Sequence, residues 1–305
     1  MNILVTGGTG SFGQAFVKRL LNSIDVTRIV VYSRGEHAQE EMEHRYRDDR
    51  LRFFIGDVRD ISRLELALHG IDTVVHAAAL KIVPIAEYNP TECVATNVLG
   101  AQNIVKAALH TGVKRVVGLS TDKAVNPINL YGATKLAAEK IFVAANALAA
   151  GRTAFSVVRY GNVAGSRGSV VPLFKRLAAE GKPLPLTHPD MTRFWITMDQ
   201  AIDLVMYAIY HSHAREILVP KIPSIKITDL IAAMSNLPPT LVGIRPGEKI
   251  HETLITADEA RVTADMVNFY LINAPEKYPK VEQGFCYTSD TNTEWLTVEQ
   301  LRAMT

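Results

Sequence analysis

The stretch MNILVTGGTGSFG, residues 1–13, decides how the chain folds. Asn2–Thr6 is a short apolar run that stops at two glycines, and Phe12–Leu21 then carries apolar residues at helical spacing. Gly7, Gly10 and Gly13 stand in the turn between them, in a GxxGxxG rather than a GxGxxG pattern. Such a turn lets the backbone approach a pyrophosphate, while the N–H groups that open the next helix face the negative charge. A strand before and a helix after make these glycines a candidate dinucleotide site.

The same rhythm continues outward. Strands are expected at Arg28–Ser33, Arg52–Ile55, Thr73–Ala77, Lys114–Ser120 and Ala154–Tyr160, with helices at Glu36–Arg45, Ile61–Leu68, Pro90–His110 and Tyr131–Ala149. Runs such as VVHAA and RVVGLS are apolar throughout instead of alternating, as in strands covered by helices on both faces. The expected fold is α/β: a Rossmann-type, doubly wound parallel sheet over residues 1–160. After Tyr160 the rhythm breaks into glycine- and proline-rich loops, with helices expected at Leu173–Ala179, Asp199–His211 and Ile227–Met234 and a short strand at Glu216–Val219. Residues 161–305 are read as a smaller α/β substrate domain, with segments near 192–220 returning to the first. The tail from about Leu254 reads as helix and loop.

The second strand bears on which dinucleotide is held. A carboxylate at its end would take the ribose hydroxyls and favour NAD; the chain instead reads Tyr32-Ser33-Arg34. A hydroxyl and a guanidinium suit a 2′-phosphate, so NADP is favoured. Asp57, after the third strand, either accepts from the adenine amino group or caps the helix that starts near Arg59.

Composition narrows the field. Of 305 residues, 48% are hydrophobic and 21% charged, and the formal net charge is +2, without a basic run to mark a nucleic-acid partner. Cys93 and Cys286 are far apart and suit a reducing compartment. No apolar run reaches membrane-spanning length and no metal-ligand spacing occurs, so a cytoplasmic chain without metal or membrane is expected.

STDKAVNPINLYGATK, residues 120–135, holds the chemistry. Tyr131 and Lys135, four apart on a helix, share a face, and an ammonium beside a phenol favours the phenolate. Thr121 is placed to bond the same substrate oxygen. This set explains oxidation of an alcohol. Asp122 and Lys123 exceed what hydride transfer needs. Next to a new ketone a C–H becomes acidic; a lysine of depressed pKa would take that proton while a protonated carboxyl releases a hydroxyl. The alternative is a solvated Asp–Lys turn.

These residues carry a resemblance. The chain resembles the extended short-chain dehydrogenase/reductases, and more narrowly the inverting UDP-N-acetylglucosamine 4,6-dehydratases that open the pseudaminic acid pathway. The matching stretches include TGGTGSFG, YSRGE, GDVRD, HAAALKIVPIAEYNP, TNVLGAQN, STDKAVNPINLYGATK, VRYGNVAGSRGSVVP, MTRFWIT and RPGEKIHE, in order from residue 6 to 252. The resemblance implies Lys123 as the C5 base, where retaining dehydratases usually carry a glutamate, and Asp122 as the acid releasing the C6 hydroxyl. Tyr131, Lys135 and Thr121 would run the C4 redox step. Carried onto the matched stretches, NADP contacts fall on Gly7, Thr9, Gly10, Ser11, Phe12, Gly13, Ser33, Arg34, Asp57, Val58, Ala78, Lys81, Tyr131 and Lys135. Substrate contacts fall on Lys81, Glu87, Asn162, Arg193, Arg245 and Glu248, the two arginines at the diphosphate and Glu248 at a ribose hydroxyl. A UDP-sugar substrate, inversion at C5 and a homo-oligomer are implied by the family alone. Two positions depart from it: Ala38 where a basic residue often assists the 2′-phosphate, and Ile82 in the loop of HAAALKIVP. A UDP-hexose 4-epimerase, a retaining dehydratase and an NADP-sensing regulator are the other readings.

Overall fold

The first strand, β1 (Asn2–Thr6), is buried from Ile3 onward, on both faces, as its unbroken apolar run requires. The structure, a computed structural model, describes every residue from Met1 to Thr305. The chain continues through α1 (Ser11–Leu21), β2 (Arg28–Ser33), α2 (Glu36–Tyr46), β3 (Leu51–Ile55), α3 (Ile61–Leu68), β4 (Thr73–His76), α4 (Val83–Tyr88), α5 (Pro90–Val94), α6 (Gly100–Thr111), β5 (Arg115–Thr121), α7 (Leu130–Ala149) and β6 (Ala154–Tyr160). Then follow β7 (Asn162–Val163), α8 (Val170–Ala179), β8 (Pro185–Leu186), β9 (Thr192–Ile196), α9 (Met198–His211), β10 (Ile217–Pro220), β11 (Ser224–Lys226), α10 (Ile227–Met234), β12 (Thr240–Leu241), β13 (Thr253–Ile255), α11 (Ala257–Ala260), β14 (Thr263–Asp265), β15 (Phe269–Ile272), β16 (Tyr287–Thr288) and α12 (Val298–Met304).

The chain forms two compact units. The first comprises Met1–Ser120, Thr134–Val158 and Ile202–Leu218; the second comprises Thr121–Ala133, Arg159–Ala201 and Val219–Thr305. A cut at residue 160 therefore differs from this division. Thr121–Ala133 and Arg159–Tyr160 group with the second unit, and the returning segment is Ile202–Leu218, leaving β9 in the second.

In the first unit the strands lie in the order β10-β6-β5-β4-β1-β2-β3. β1 pairs in parallel with both β2 and β4, so the winding direction reverses there. Loops at such a reversal, beyond the strands' carboxyl ends, are where open α/β sheets bind ligands. The glycine turn after β1 sits at this point. Apolar side chains of β1, β2 and β4 (Leu4, Val30, Val75) and of α1 (Phe16, Leu20) are fully buried and form the core.

Two expectations for this unit are refined. The helix expected over Pro90–His110 is present but not uniform: residues 95–99 are π-helical between α5 and α6. Such a bulge re-aims a side chain. Here Asn97 accepts from the Leu80 N–H at 2.8 Å and donates to the Leu80 carbonyl at 2.9 Å, fixing the loop after β4. That loop is also partly helical: Val83–Tyr88 forms α4, with a proline in its first turn, where a missing N–H costs nothing.

The second unit has its own core of Val171, Phe174, Leu184, Trp195, Ile225, Leu230 and Leu301. Its strands are short: β7 and β11 flank β9, β8 pairs β12, β13 pairs β16, and β14 pairs β15. The tail from Leu254 is mainly loop with two short helices, as expected, and adds the short strands β13 to β16, which were not expected. Strands of two to four residues are too short to show a period in the sequence. No helix in the chain is long and apolar enough to cross a membrane.

Candidate active site

The glycine turn of the first unit is close-packed against its surroundings. Gly7 has φ +65°, and a Cβ there would lie 2.9 Å from the Ala78 backbone nitrogen. A Cβ at Gly13 would fall 2.5 Å from Gly8 Cα. Both positions need glycine, one for its backbone and one for close packing. Gly10 caps α1 without any side-chain hydrogen bond to the helix, and the first turn holds no acid. The first N–H groups of α1, at Ser11 and Phe12, form the positive end of the helix, which favours a phosphate. Thr9 contributes its carbonyl to the Gln14 side chain at 2.9 Å.

At the end of β2 the groups are less free than the sequence implied. Ser33 is buried, and its hydroxyl accepts from Gln39 at 2.9 Å. The Arg34 side chain is 59% exposed and stands 3.9 Å from the Asp57 carboxylate. Asp57 is held by Arg59, through its backbone N–H at 2.9 Å and its guanidinium at 2.7 Å. Burial opposes its charge, but the Arg59 bonds win and keep its carboxyl below the ordinary range. Asp57 does not cap the next helix; Asp60 does, accepting from the Arg63 N–H. Val58 is buried, packed where a Cβ on Gly100 would meet it at 2.7 Å.

Behind the glycine turn lies a buried polar chain. Thr6 Oγ1 is 2.9 Å from His76 Nδ1 and accepts from the Ala78 N–H at 3.2 Å. Burial, then Lys135, lowers the His76 pKa to about 3. The unfolded chain protonates this histidine below about 6.5, the fold only below about 3, so stability falls as pH drops through that window. His76→Gln should flatten the dependence of Tm on pH between about 6.5 and 4. An unchanged slope would show that His76 is not the group responsible.

Lys135 lies on α7, one turn beyond Tyr131 and on the same face. Burial lowers its pKa to about 8, against the pull of buried Glu139 a turn further on. It thus stays mostly cationic at neutral pH, as a phenolate stabiliser must. In the second unit, Asn129 sets the start of α7: its Oδ1 accepts from the Gly132 N–H at 2.7 Å, and its Nδ2 donates to the Gly247 carbonyl at 2.8 Å. Tyr131 is almost wholly buried on this first turn.

Asp122 and Lys123 do not form a solvated turn. The Asp122 side chain is 1% exposed and that of Lys123 is 23% exposed, with Nζ 3.0 Å from Asp122 Oδ1. Thr121 donates its hydroxyl to the same Oδ1 at 2.8 Å. Asp122 Oδ2 is buried with no hydrogen-bond partner, a costly state that a bound hydroxyl would relieve. A second buried carboxylate, Glu252, lies 3.4 Å from Lys123 Nζ. Burial by itself would lower the Lys123 pKa, but Asp122 and Glu252 outweigh it and hold the ammonium above the ordinary lysine range. The expectation of a depressed lysine is therefore corrected: before substrate binds, Asp122 and Lys123 are an ion pair.

The substrate candidates divide. Asn162 starts β7, and its buried Oδ1 has no partner. Arg193 is not offered to a diphosphate: its guanidinium donates to the carbonyls of Thr192 (2.6 Å), Ile250 (3.0 Å) and Lys249 (3.0 Å), and Nε faces Glu252 at 3.8 Å. It clasps the segment that carries Glu252. Arg245 and Glu248 pair with each other at 3.5 Å in an exposed turn. In the first unit, Lys81 and Glu87 are both exposed, Lys81 on the loop after β4 and Glu87 on α4 rather than on that loop. Glu252, Lys249 and Asn97 went unnoticed in the sequence, although each lies inside a quoted stretch.

A doubly wound parallel sheet, a glycine turn where its winding reverses, and a helical Tyr–Lys pair define an extended short-chain dehydrogenase/reductase. Residues 3–274 match the family described as polysaccharide biosynthesis protein, and the chain belongs to that family. It is 49% identical over 319 residues to the UDP-N-acetylglucosamine 4,6-dehydratase (inverting) of Campylobacter jejuni strain 81-176, covering 98% of this chain and 96% of that one. It is 43% identical over 279 residues to a UDP-glucose 4-epimerase of Rickettsia conorii, covering 88% and 82%. Among solved structures, Pen from Bacillus thuringiensis matches with a TM-score of 0.93 and 36% identity over 99% and 95% of the two chains. The dTDP-glucose 4,6-dehydratase DesIV from Streptomyces venezuelae, solved with NAD bound, matches with a TM-score of 0.76 and 25% identity over 82% and 87%.

Proposed function

We propose that the protein is an inverting UDP-N-acetylglucosamine 4,6-dehydratase using NADP. The observation that carries this is the buried Asp122–Lys123 pair, 3.0 Å apart and lacking a partner on Asp122 Oδ2. A 4-epimerase eliminates no water and has no use for a buried acid and amine side by side. The name of the Campylobacter relative supports the same reading.

A bound nicotinamide supplies the acceptor for the C4 hydride and its return at C6. Tyr131 takes the C4 hydroxyl proton, its phenolate favoured by Lys135. With C4 a ketone, the C5–H bond is acidic. Lys123 passes a proton to Asp122 across their hydrogen bond, which creates a free amine and a carboxylic acid together. Lys123 Nζ then takes the C5 proton; the C6–O bond breaks, and Asp122 protonates the departing oxygen to give water. The pair ends as the ion pair from which it began. A proton reaching C5 from the opposite face inverts that centre. Asn162 faces the sugar and Glu248 a ribose hydroxyl, and the product is a UDP-2-acetamido-2,6-dideoxy-L-arabino-hexos-4-ulose. Cytoplasmic synthesis of a pseudaminic acid type sugar by a homo-oligomer accords with this reading.

The test is incubation with UDP-N-acetylglucosamine and with UDP-glucose, without added cofactor, followed by mass spectrometry and by NMR of the sugar, which tells an epimer from unreacted substrate. Loss of one water from the acetamido sugar is expected. A product of unchanged mass would favour the epimerase reading, which the Rickettsia relative supports. No conversion would leave the sensor reading standing.

NADP rests on Arg34, since Ser33 already serves Gln39. One charge-assisted bond to a 2′-phosphate contributes about 1.5–3 kcal/mol, roughly 10- to 100-fold in affinity. Arg34→Ala should lower NADP affinity by about that factor and leave NAD affinity unchanged. Purified protein holding only NAD, with preference unaltered in the variant, would contradict this.

A further inference from the structure

Glu252 takes no part in the steps above, yet it is placed to govern one of them. It stands just before β13, with its side chain 2% exposed. Its backbone is fixed on both sides: the Glu252 N–H donates to Ser289 Oγ at 2.9 Å, and its carbonyl accepts from the Ser289 N–H at 2.8 Å. Three cations surround the carboxylate. Lys123 Nζ is 3.4 Å and Arg193 Nε 3.8 Å from Oε1, and Lys249 Nζ is 3.9 Å from Oε2. Arg193 is tied to three carbonyls, and Lys249 donates to the Val125 carbonyl at 2.6 Å. Lys123 alone is linked on its other side to Asp122. Oε2 has no hydrogen-bond partner although it is buried.

A buried carboxylate kept without full hydrogen bonding is destabilising, so its presence calls for a function. We propose that Glu252 is a positioning residue for water elimination: it orients the Lys123 amine toward C5 and raises the pH at which the Asp122–Lys123 pair loses its shared proton. The proposal rests on the dehydratase reading. Its logic is that of a carboxylate behind a catalytic base that becomes cationic during the reaction. The step itself is unchanged: the C5–H bond breaks, its proton goes to Lys123 Nζ, and Asp122 gives its own proton to the leaving C6 oxygen. Glu252 gains and loses no proton; it holds Lys123 Nζ in place for the C5–H bond.

The groups facing Lys123 are Asp122 on its own turn, Glu252 and Lys249 from the segment before β13, and Arg193 from β9. Burial lowers Lys249, opposed by Glu252 and Asp122 and assisted by Lys123 and Arg193. Removing the Glu252 charge leaves Lys123 with one carboxylate and two like charges. The amine becomes a weaker base, and the alkaline limb of elimination moves to lower pH.

The experiment compares wild type with Glu252→Gln and Glu252→Asp. Two readouts are used: turnover of UDP-N-acetylglucosamine, and exchange with deuterated solvent of the C5 hydrogen of the D-xylo 4-keto-6-deoxy sugar, which keeps the substrate's C5 configuration and so presents that hydrogen to Lys123. The exchange needs the base and no hydride transfer, so it isolates Lys123 from Tyr131 and Lys135. The proposal predicts a fall of about 10- to 1,000-fold in kcat and in exchange for Glu252→Gln, within the range of general-base effects. KM should change less than about threefold, oxidation at C4 of a 6-deoxy substrate should persist, the alkaline limb should move down, and Glu252→Asp should recover part of the exchange. Wild-type exchange in Glu252→Gln at every pH would overturn the proposal. So would an equal loss of exchange, C4 oxidation and Tm in both variants, which would make the role structural. A wild type that forms no 4-keto-6-deoxy product would overturn the dehydratase reading instead, and the proposal with it.

Discussion

Lys123→Ala should stop water elimination while leaving oxidation at C4 in place. General-base catalysis is worth about 10² to 10⁴ in rate, and Lys123 also supplies the proton that makes Asp122 an acid, so the loss should lie at the upper end of that range. Deleting the lysine also leaves Asp122 and Glu252, both buried, without their shared cation. Breaking one side of a buried ion pair typically destabilises by about 3–5 kcal/mol, so a Tm decrease should accompany the kinetic loss. Single-turnover absorbance separates the two effects. The reduced nicotinamide band should rise on addition of UDP-N-acetylglucosamine and persist in the variant, whereas it decays in the wild type. Elimination within tenfold of wild type would mean that another group removes the C5 proton.

Gly132→Ala is the second large effect, although it replaces no reacting group. A Cβ at Gly132 would overlap the carbonyl oxygen of Lys123 and lie 3.1 Å from Pro127 Cβ. The first turn of α7 therefore packs directly on the backbone of the turn that presents Asp122 and Lys123. Neither contact is the flexible end of a side chain, so the helix or the turn must move. Misplacing catalytic groups by about 1 Å costs on the order of 100-fold in rate, and overpacking costs about 1–3 kcal/mol of stability. We expect kcat to fall by about two orders of magnitude with a modest decrease in Tm. Gly70→Ala provides the contrast, because nothing lies within 4 Å of a Cβ there and only its φ of +72° is strained. It should lose stability and keep its turnover. Near wild-type turnover in Gly132→Ala would show that the two motif halves are not mechanically linked.

The fold was readable where burial writes a simple pattern. β1, β2 and β4 lie inside the sheet, so their sequences are apolar without interruption, and β1, β2 and β6 fall where expected. The glycines could be read because φ at Gly7 and packing at Gly13 each exclude other residues. Tyr131 and Lys135 could be read because a helix turns four-residue spacing into proximity. What stayed hidden depends on contacts distant in sequence. Glu252 meets Lys123 only through the fold, and nothing around KIHE marks its carboxylate as buried. Arg193 looked like a phosphate ligand because guanidinium groups often are; three backbone carbonyls hold it instead. The π-helical residues 95–99 leave no mark in the sequence, since one inserted residue barely disturbs an apolar period. The Lys123 pKa went the wrong way for the same reason as Glu252: its neighbours were unknown.

The central claim is that Asp122 and Lys123 eliminate water next to a C4 ketone and that C5 is inverted. The most direct measurement is NMR of the product formed from UDP-N-acetylglucosamine in deuterated water, without added cofactor. The account predicts a 4-keto-6-deoxy sugar carrying deuterium at C5 with L-arabino geometry. A 4-epimer with all its oxygens retained and hydrogen at C5 would contradict it.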